Sequence, residues 1–140
     1  MIENAKKEDL EDIYQLICEL EQEQISKDYF IKTYLEGLDN KDIYFIVYRH
    51  EDKIIGLISL YINYHLHHHA PTGEIVELVV LPEYRGLKVG HRLIEYVEGL
   101  AKEKGLIELE LSTSTYRKKA HLFYEAHGFI KDHYNYTKDI

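Results

Sequence analysis

The apolar positions along the chain recur at two spacings, one typical of helices and the other of strands. Leu10, Ile13 and Ile17 recur every three or four residues, which places them on one face of a helix. Runs of β-branched and aromatic residues on both sides of residues 50–52 predict a hairpin. These patterns predict the order β-α-α-β-β-β-α-β-α-β, with strands at Met1–Ala5, Ile43–Arg49, Lys53–Tyr64, Glu74–Leu81, Leu106–Ser112 and Phe129–Thr137, and helices at Lys7–Gln24, Lys27–Leu38, Lys88–Lys104 and Arg117–Ala126.

One predicted strand runs through a short turn into a helix between Glu77 and Gly90. Pro82 ends the apolar run Leu78–Leu81, and the helical pattern begins at Lys88. The first N–H groups of a helix have no intrahelical partners and lie at the positive end of its dipole, so this junction suits a phosphate. Glycine lets an anion approach the backbone closely. An ordinary strand-to-helix connection with a surface arginine is the alternative.

The length and charge of the chain limit the partners it can have. Its 140 residues suffice for one domain, residues 1–140, and are too few for two. The formal charge of −8 argues against nucleic acid as a partner. Positive side chains form two local clusters, Arg85, Lys88, His91 and Arg92 in the first, and Arg117, Lys118, Lys119 and His121 in the second. These clusters suit a polyanionic cofactor, although solvated helix faces show the same pattern.

Cysteine content and hydropathy predict a cytoplasmic protein. The single cysteine, Cys18, cannot form an internal disulfide, and it falls on the apolar face of the first predicted helix as a structural thiol. The N-terminus does not resemble a signal peptide. No apolar run approaches the ~20 residues that cross a bilayer, so no membrane partner is expected.

The strand-turn-helix segment resembles the acyl-CoA signature of the GNAT acetyltransferase superfamily. Residues 85–90, RGLKVG, fill its frame of Arg or Gln, two variable residues, Gly, one variable residue, and Gly or Ala. Lys88 stands where the family usually has a glycine. Residues 120–129, AHLFYEAHGF, look like the second family hallmark, a helix with an aromatic pair followed by Gly-Phe. The resemblance implies a mixed α/β fold over the whole chain, with a mostly antiparallel central sheet flanked by helices, and acetyl-CoA as cosubstrate.

Several residue roles are implied by this resemblance. Backbone N–H groups of Val79 and Val80 would pair with pantetheine and polarise the thioester carbonyl, and Tyr124 would protonate the departing thiolate. A core tyrosine with a satisfied hydroxyl is the alternative for Tyr124. Arg117 stands where the family often has an asparagine, and it could contact CoA or an anionic substrate. The residues expected to bind the cofactor are Leu78, Val79, Val80, Arg85, Gly86, Leu87, Lys88, Val89, Gly90, His91, Arg117 and Tyr124.

Two carboxylates on the fourth predicted strand are candidates for the base that deprotonates the amine. Because side chains of a strand alternate, Glu74 and Glu77 are expected on opposite faces, so only one can point into a given cleft. Glu74 is the expected base, acting directly or through water, and Glu77 the contact for the substrate ammonium group or a structural residue. Surface salt bridges are the alternative for both.

The chain is also similar over almost its full length to the bacterial aminoalkylphosphonate N-acetyltransferases, a family associated with divalent metals. This resemblance rests on LICELEQ, YHLHHH, GEIVELVVLPEYRGLKVG and the ending AHLFYEAHGF…YTKDI. It implies a small amine carrying a phosphonate, which could meet His65, His67, Ser112, Thr113, Ser114 or Arg117. Residues 112–114 could instead cap the last helix. Another small amine, such as an amino sugar phosphate or a polyamine, a protein N-terminus, and a non-catalytic acyl-CoA sensor are the competing functions.

The histidine-rich segment before the fourth strand and the tyrosines near the C-terminus suggest further partners. If the strand continues, His65, His67 and His69 share one face and could bind a divalent metal or an anion, although polar surface is the alternative. Tyr134 and Tyr136 could contribute to a homodimer interface or to ordinary sheet packing.

Overall fold

The computed structural model describes all 140 residues as a five-stranded sheet with helices on both faces. The strands are β1 (Ile2–Asn4), β2 (Ile43–His50), β3 (Lys53–Asn63), β4 (Thr72–Val80) and β5 (Leu109–Leu111), and the helices are α1 (Leu10–Glu21), α2 (Lys27–Leu38), α3 (Val89–Glu103) and α4 (Lys118–Ala126), with single 3₁₀ turns at Lys7–Asp9 and Pro82–Tyr84. The strands lie in the order β1-β2-β3-β4-β5. The first four pair antiparallel, and β5 pairs parallel to β4. The predicted mixed α/β architecture is confirmed.

The sheet separates two apolar cores. One face packs on α1 and α2 through a cluster that includes Leu16, Phe30 and Val79. The other face packs on α3 through a cluster that includes Ile58 and Leu93. Because β3 is covered on both faces, its sequence is nearly continuous in apolar residues instead of alternating. No helix of the chain combines the length and apolar character needed to cross a membrane.

Strands β4 and β5 separate after a short paired stretch. Their pairing runs only from Gly73 opposite Leu109 to Ile75 opposite Leu111. The second half of β4, residues 76–80, therefore has a neighbouring strand on the β3 side alone. We call this unpaired edge of β4 and the space beside it the splay.

The peptide groups of β4 that face the splay follow from the alternation of an antiparallel ladder. The N–H of Leu81 donates to the carbonyl of Ile55 in β3 (2.9 Å). Peptide groups alternate from side to side along a strand, so those of Val79 also face β3. Those of Leu78 and Val80 face the splay, where they can bond a ligand.

A β-bulge between β3 and β4 changes the direction of one carboxylate. Ile58 pairs with Leu78 and Leu60 pairs with Ile75, so one residue of β3, Ser59, lies opposite two residues of β4. The extra residue shifts the alternation, and the prediction that Glu74 and Glu77 lie on opposite faces is wrong. Both point toward α1 and α2: Glu74 pairs with Tyr61, and Tyr61 lines the same pocket as Glu77.

The predicted last strand, Phe129–Thr137, is also wrong. Residues 129–140 form neither helix nor strand, and Tyr134 and Tyr136 are each 89% exposed. An extended segment needs a neighbouring strand to satisfy its backbone groups, and β5, with three residues, offers a short edge. Strand β5 begins later than predicted because the N–H groups of Leu106 and Ile107 bond to the carbonyls of Ala101 and Pro71.

A partly buried ion network connects β1, β2 and the first 3₁₀ turn. Arg49 donates from Nε to Glu3 (2.6 Å) and from Nη2 to both carboxylate oxygens of Asp9 (3.0 and 3.1 Å). Asp9 is only 6% exposed. Its charge is therefore tolerated because the guanidinium and the backbone N–H of Lys6 compensate for it.

Replacing Arg49 with methionine is expected to lower the free energy of unfolding by about 3 kcal/mol, because Asp9 stays buried and loses its cationic partner. Urea denaturation followed by circular dichroism at neutral pH measures the change. The matched control is Lys32→Met, which removes an exposed cation 4.0 Å from Glu36 and should change stability little. Equal effects of the two substitutions would contradict a stabilising role for the network.

Candidate active site

The segment between β4 and α3 forms an open turn suited to an anion. We call residues 85–90 of this turn the anion cradle. Gly86 and Lys88 both adopt left-handed backbone conformations, with φ of 84° and 65°. Helix α3 begins at Val89, and the first backbone bond in its opening turn runs from Arg92 N–H to the Lys88 carbonyl. No side chain caps the helix, so the N–H groups of residues 89–91 are available to an anion.

The conformation of Lys88 explains why glycine is usual at this position in the family that the segment resembles. A residue with a β-carbon costs about 1 kcal/mol in the left-handed region, and glycine costs nothing there. The lysine brings a positive charge to the cradle in exchange for this strain. Lysine in place of the usual glycine therefore preserves the left-handed path of the backbone at this position.

Gly90 brings three elements together beside the splay. A β-carbon at this position would lie 3.4 Å from the Phe123 ring of α4 and 3.8 Å from the Val80 side chain of β4. The first turn of α3 can approach β4 and α4 closely because glycine has no side chain there. The cradle and the splay are therefore adjacent, and we refer to the two together as the cleft.

Other predicted cofactor residues lie around this cleft with partners of their own. Arg85 donates from Nε to the Val80 carbonyl (3.0 Å) and from Nη2 to Glu19 of α1 (3.4 Å). His91 contacts Glu95 through Nε2 (2.7 Å) and His127 through Nδ1 (3.1 Å). Leu87 is exposed. The Arg85 side chain therefore spans the mouth of the splay and reaches α1.

Tyr124 lies on the α4 side of the cleft. Its ring packs edge-on against Phe123 and Phe129, with centroids 5.4 and 5.9 Å away. Its hydroxyl makes no hydrogen bond within the protein, in contrast to the hydroxyls of Tyr14 and Tyr34. Burial raises the pKa of Tyr124 above its ordinary value, and the nearby charge of Arg117 opposes this only in part. The phenol thus keeps its proton at neutral pH.

A pocket of about 130 Å³ opens on the opposite side of β4. Its walls come from α1, α2 and the central strands, and Glu77 is its only charged lining residue. Eleven residues line it: Ile13, Ile17, Ile25, Tyr29, Phe30, Thr33, Tyr34, Phe45, Leu57, Tyr61 and Glu77. A small amine can enter such a pocket with its ammonium group directed at the carboxylate and its carbon chain against the aromatic wall.

The protonation of Glu77 is set by burial and by one hydroxyl. Burial raises the pKa of the Glu77 carboxyl, the hydrogen bond from Ser59 lowers it, and the charges of Glu21 and Glu74 raise it. The pKa therefore lies above the ordinary value, so the carboxylate binds a proton more readily than an exposed glutamate. Glu74 lies in the part of β4 that β5 still covers, whereas Glu77 lies where the splay begins.

The serine-rich turn after β5 and the start of α4 lie at the mouth of the cleft. Arg117 precedes the first residue of α4 and donates from Nη2 to the Leu20 carbonyl near the end of α1 (3.3 Å). Ser112, Thr113 and Ser114 are exposed. No side chain caps α4, so the interpretation of residues 112–114 as a helix cap is wrong. Cationic and hydroxyl donors are thus available there.

His65 and His67 lie apart from these residues. Strand β3 ends at Asn63, so His65, His67 and His69 do not continue it as one face; instead, the rings of His65, His67 and His68 gather on a turn with centroids 4.3–5.6 Å apart. No group of three His, Cys, Asp or Glu side chains is arranged to hold a metal ion. Five residues of strand, about 17 Å, separate the start of β4 from Glu77.

A larger, open depression of about 540 Å³ lies at this same far end of the sheet. It is bordered by Tyr64 and Pro71 and by Lys104 at the end of α3. Neither the anion cradle nor Glu77 lines it. This depression is therefore separate from the site described above, although it is the larger of the two cavities.

Sequence reasoning missed Ser59 and the aromatic wall formed by Tyr29 and Tyr61. Ser59 is a polar residue within the otherwise apolar run Ile54–Leu60, and it is fully buried. A polar side chain in that position signals a buried hydrogen bond, so this residue could have been found from the sequence. The wall could not, because it requires α2 to pack on the face of the sheet from which Tyr61 projects.

Comparisons with known proteins agree with this geometry. A sequence model of the acetyltransferase (GNAT) family matches residues 8–129. An aminoalkylphosphonate N-acetyltransferase of Salmonella typhimurium is 36% identical over 139 residues, which cover 99% of this chain and 90% of that protein. A transcriptional regulator of Bacillus halodurans has the same fold, with a TM-score of 0.92, 22% identity and coverage of 100% of this chain and 99% of that one.

The fold is also shared with an enzyme solved with a ligand. The aminoglycoside N-acetyltransferase AAC(6')-Iy in complex with CoA has a TM-score of 0.87 at 21% identity, with 99% of this chain and 93% of that chain covered. At this identity the likeness shows the fold alone. The family match and the curated relative carry the assignment further: the chain belongs to the acetyltransferase (GNAT) family and is an acetyl-CoA-dependent N-acetyltransferase.

Proposed function

We propose that the chain transfers acetyl from acetyl-CoA directly to the primary amine of a small molecule while both substrates are bound. The observation that carries this proposal is that two sites meet at the splay. The anion cradle and Tyr124 lie on one side of β4, and the pocket with Glu77 lies on the other. An amine in that pocket can reach a thioester in the splay without an acyl-enzyme step.

The cleft fits acetyl-CoA, which supplies the acetyl thioester. The N–H groups of residues 89–91, with Arg85 and Lys88 nearby, would hold the diphosphate. The peptide groups of Leu78 and the N–H of Val80, whose carbonyl accepts from Arg85, would bond the pantetheine arm as an added strand does. An N–H there also polarises the thioester carbonyl. This assigns the oxyanion role to the splay-facing peptides, and Val79, whose N–H faces β3, holds the strand in place.

We assign the base to Glu77 instead of Glu74. Glu77 lines the pocket, has a raised pKa and lies where β5 leaves β4. An alkyl amine with a pKa near that of lysine, about 10.4, is almost fully protonated at neutral pH, so a carboxylate must take its proton before attack. Glu74 adds negative potential that favours the ammonium group.

Tyr124 is proposed as the acid. Its hydroxyl is free of protein partners, and burial raises its pKa, so it holds a proton beside the cleft. Donation of this proton neutralises the thiolate as it departs and so assists cleavage of the carbon–sulfur bond. Glu77 and Tyr124 thus act on opposite sides of β4, one removing a proton and the other supplying one.

The acceptor is proposed to be an aminoalkylphosphonate. The Salmonella relative carries that name. An amine at Glu77 leaves the other end of a short zwitterion directed at the mouth, where Arg117 and the hydroxyls of residues 112–114 suit a tetrahedral oxyanion. A polyamine is the second candidate, because Glu77 is the only charged group in the pocket lining and Glu74 and Glu21 act on it electrostatically.

Steady-state thiol release with 2-aminoethylphosphonate and ethylamine tests the acceptor. The phosphonate is expected to have a kcat/KM at least about 10-fold higher, because a charge-assisted hydrogen bond contributes ~1.5–3 kcal/mol. Arg117→Gln should reduce this preference, and Lys118→Gln, next to it but exposed and outside the contact, should not. Equal turnover of both amines would exclude the phosphonate, and faster turnover of spermidine would favour the polyamine.

A further inference from the structure

Ser59 is a buried polar residue at the position where the sheet is irregular. It lies in the middle of β3 and is 0% exposed. The bulge places it opposite two residues of β4, so it has no regular partner in that strand. Its side chain points to the same face as Leu57 and Tyr61, toward α1 and α2.

The Ser59 hydroxyl forms both of its hydrogen bonds with one residue. Its oxygen accepts from the backbone N–H of Glu77 (2.9 Å), and its O–H donates to the carboxylate of the same glutamate. The first bond replaces the ladder bond that the bulge removes. The second fixes the carboxylate, whose only protein hydrogen-bond donor is this serine.

No other group that faces Glu77 donates a hydrogen bond to its carboxylate. Glu21 of α1 and Glu74 of β4 are negative and disfavour its ionised form. Tyr61 and Tyr29 line the pocket without bonding the carboxylate, and the hydroxyl of Tyr34 donates to the Lys6 carbonyl (2.6 Å). Burial and the neighbouring negative charges thus disfavour the ionised form of Glu77, and the hydroxyl of Ser59 favours it.

We propose that Ser59 is a positioning residue for acetyl transfer, which holds the Glu77 carboxylate toward the amine and favours its ionised form. This rests on the proposed role of Glu77 as the base. The hydrogen bond from the backbone N–H of Glu77 to Ser59 and the hydrogen bond from Ser59 to the carboxylate together fix the orientation of that carboxylate. Without the hydroxyl, the side chain can rotate within the pocket, and nothing in the protein offsets the burial of its charge.

The pH dependence of kcat/KM separates this role from a purely structural one. Ser59→Ala is expected to move the acidic limb upward by about one pH unit and to lower kcat about 10-fold near that limb, since a hydrogen bond to the ionised form is lost. The KM for acetyl-CoA should not change. Ser59→Thr, which keeps the hydroxyl, should restore the position of the limb. Ser59→Cys, with a weaker donor, gives the same measurement if the alanine variant fails to fold.

Combination with Glu77→Gln shows whether Ser59 acts through Glu77. In that background Ser59→Ala should lower kcat no further, because there is no carboxylate to position. An unmoved acidic limb in Ser59→Ala, with Glu77→Gln inactive, would overturn the role of Ser59 and leave the base assignment intact. Normal turnover by Glu77→Gln would overturn the base assignment itself. The two failures are therefore distinguishable.

Discussion

Replacing Glu77 with glutamine is expected to lower kcat by about 100- to 10,000-fold at neutral pH, the range that one general base contributes. Glutamine preserves the shape of the side chain and can still accept the hydrogen bond from Ser59, but it cannot take a proton. The KM for acetyl-CoA should stay close to its normal value, because Glu77 lies on the side of β4 away from α3. Thiol release under saturating amine measures the loss.

The pH profile gives a second readout of the same substitution. Burial raises the pKa of the Glu77 carboxyl, so activity should fall with decreasing pH at a higher pH than for an exposed glutamate. Glu77→Gln should abolish that acidic limb. Glu74→Gln is the matched control: it removes a carboxylate from the same strand and face, yet it should lower kcat much less and move the limb slightly downward.

Loss of folding can be separated from loss of catalysis in the Glu77 variant. A carboxyl group can have a higher pKa in the folded protein than in the unfolded chain. Such a group stabilises the fold at a pH below the pKa that it has in the unfolded chain. This stabilisation is lost as the pH rises through the pKa that it has in the folded protein. At neutral pH the buried charge of Glu77 thus weakens the fold. The glutamine variant should melt at the same temperature or higher at pH 7. Near-normal turnover would exclude Glu77 as the base.

Replacing Tyr124 with phenylalanine is expected to lower kcat about 100-fold and to leave the KM for acetyl-CoA nearly unchanged. The ring still packs against Phe123 and Phe129, so the wall of the cleft remains. Only the proton for the thiolate is lost. Because the hydroxyl has no protein partner, its removal leaves no buried donor or acceptor unpaired. The melting temperature should therefore stay unchanged.

The control for Tyr124 is Tyr134→Phe, which removes an exposed hydroxyl from the segment after α4. This substitution should leave kcat nearly unchanged. A thioester with a more acidic leaving thiol, such as an acetylated aromatic thiol, should narrow the difference between Tyr124→Phe and the normal protein, since such a thiolate departs without a proton. Unchanged turnover with acetyl-CoA would remove Tyr124 from the mechanism.

Most of the fold could be predicted from local patterns. Helix α2 and the start of β3 lie where the periodicity places them, at Lys27–Leu38 and at Lys53. The predicted first helix was too long because its opening turn is 3₁₀ and Gln22 ends α1 in a left-handed conformation. The last strand failed because β propensity alone does not supply a partner strand.

The candidate site shows the same division. The cradle of residues 85–90 was predicted because glycine spacing and a helix start are local features. The direction of Glu77 was not, because one extra residue in β4, opposite Ser59 of β3, reverses which face the side chain takes. The histidine segment also depends on tertiary pairing. Strands β3 and β4 stop pairing at Asn63 and Thr72, so the condition under which the three histidines would share one face is not met.

The amino-acid sequence by itself determined the order of helices and strands as far as α4, the anion cradle and the family, because periodicity, turn residues and helix termini act within a few neighbouring residues. Only the tertiary structure decided that Glu77 lines the pocket under α1 and α2, that Ser59 bonds its carboxylate, and that the Tyr124 hydroxyl has no protein partner. These features depend on the register between β3 and β4 and on the separation of β4 from β5. Register is set by the pairing of distant segments, and a shift of one residue in that pairing turns a side chain from one face of the sheet to the other.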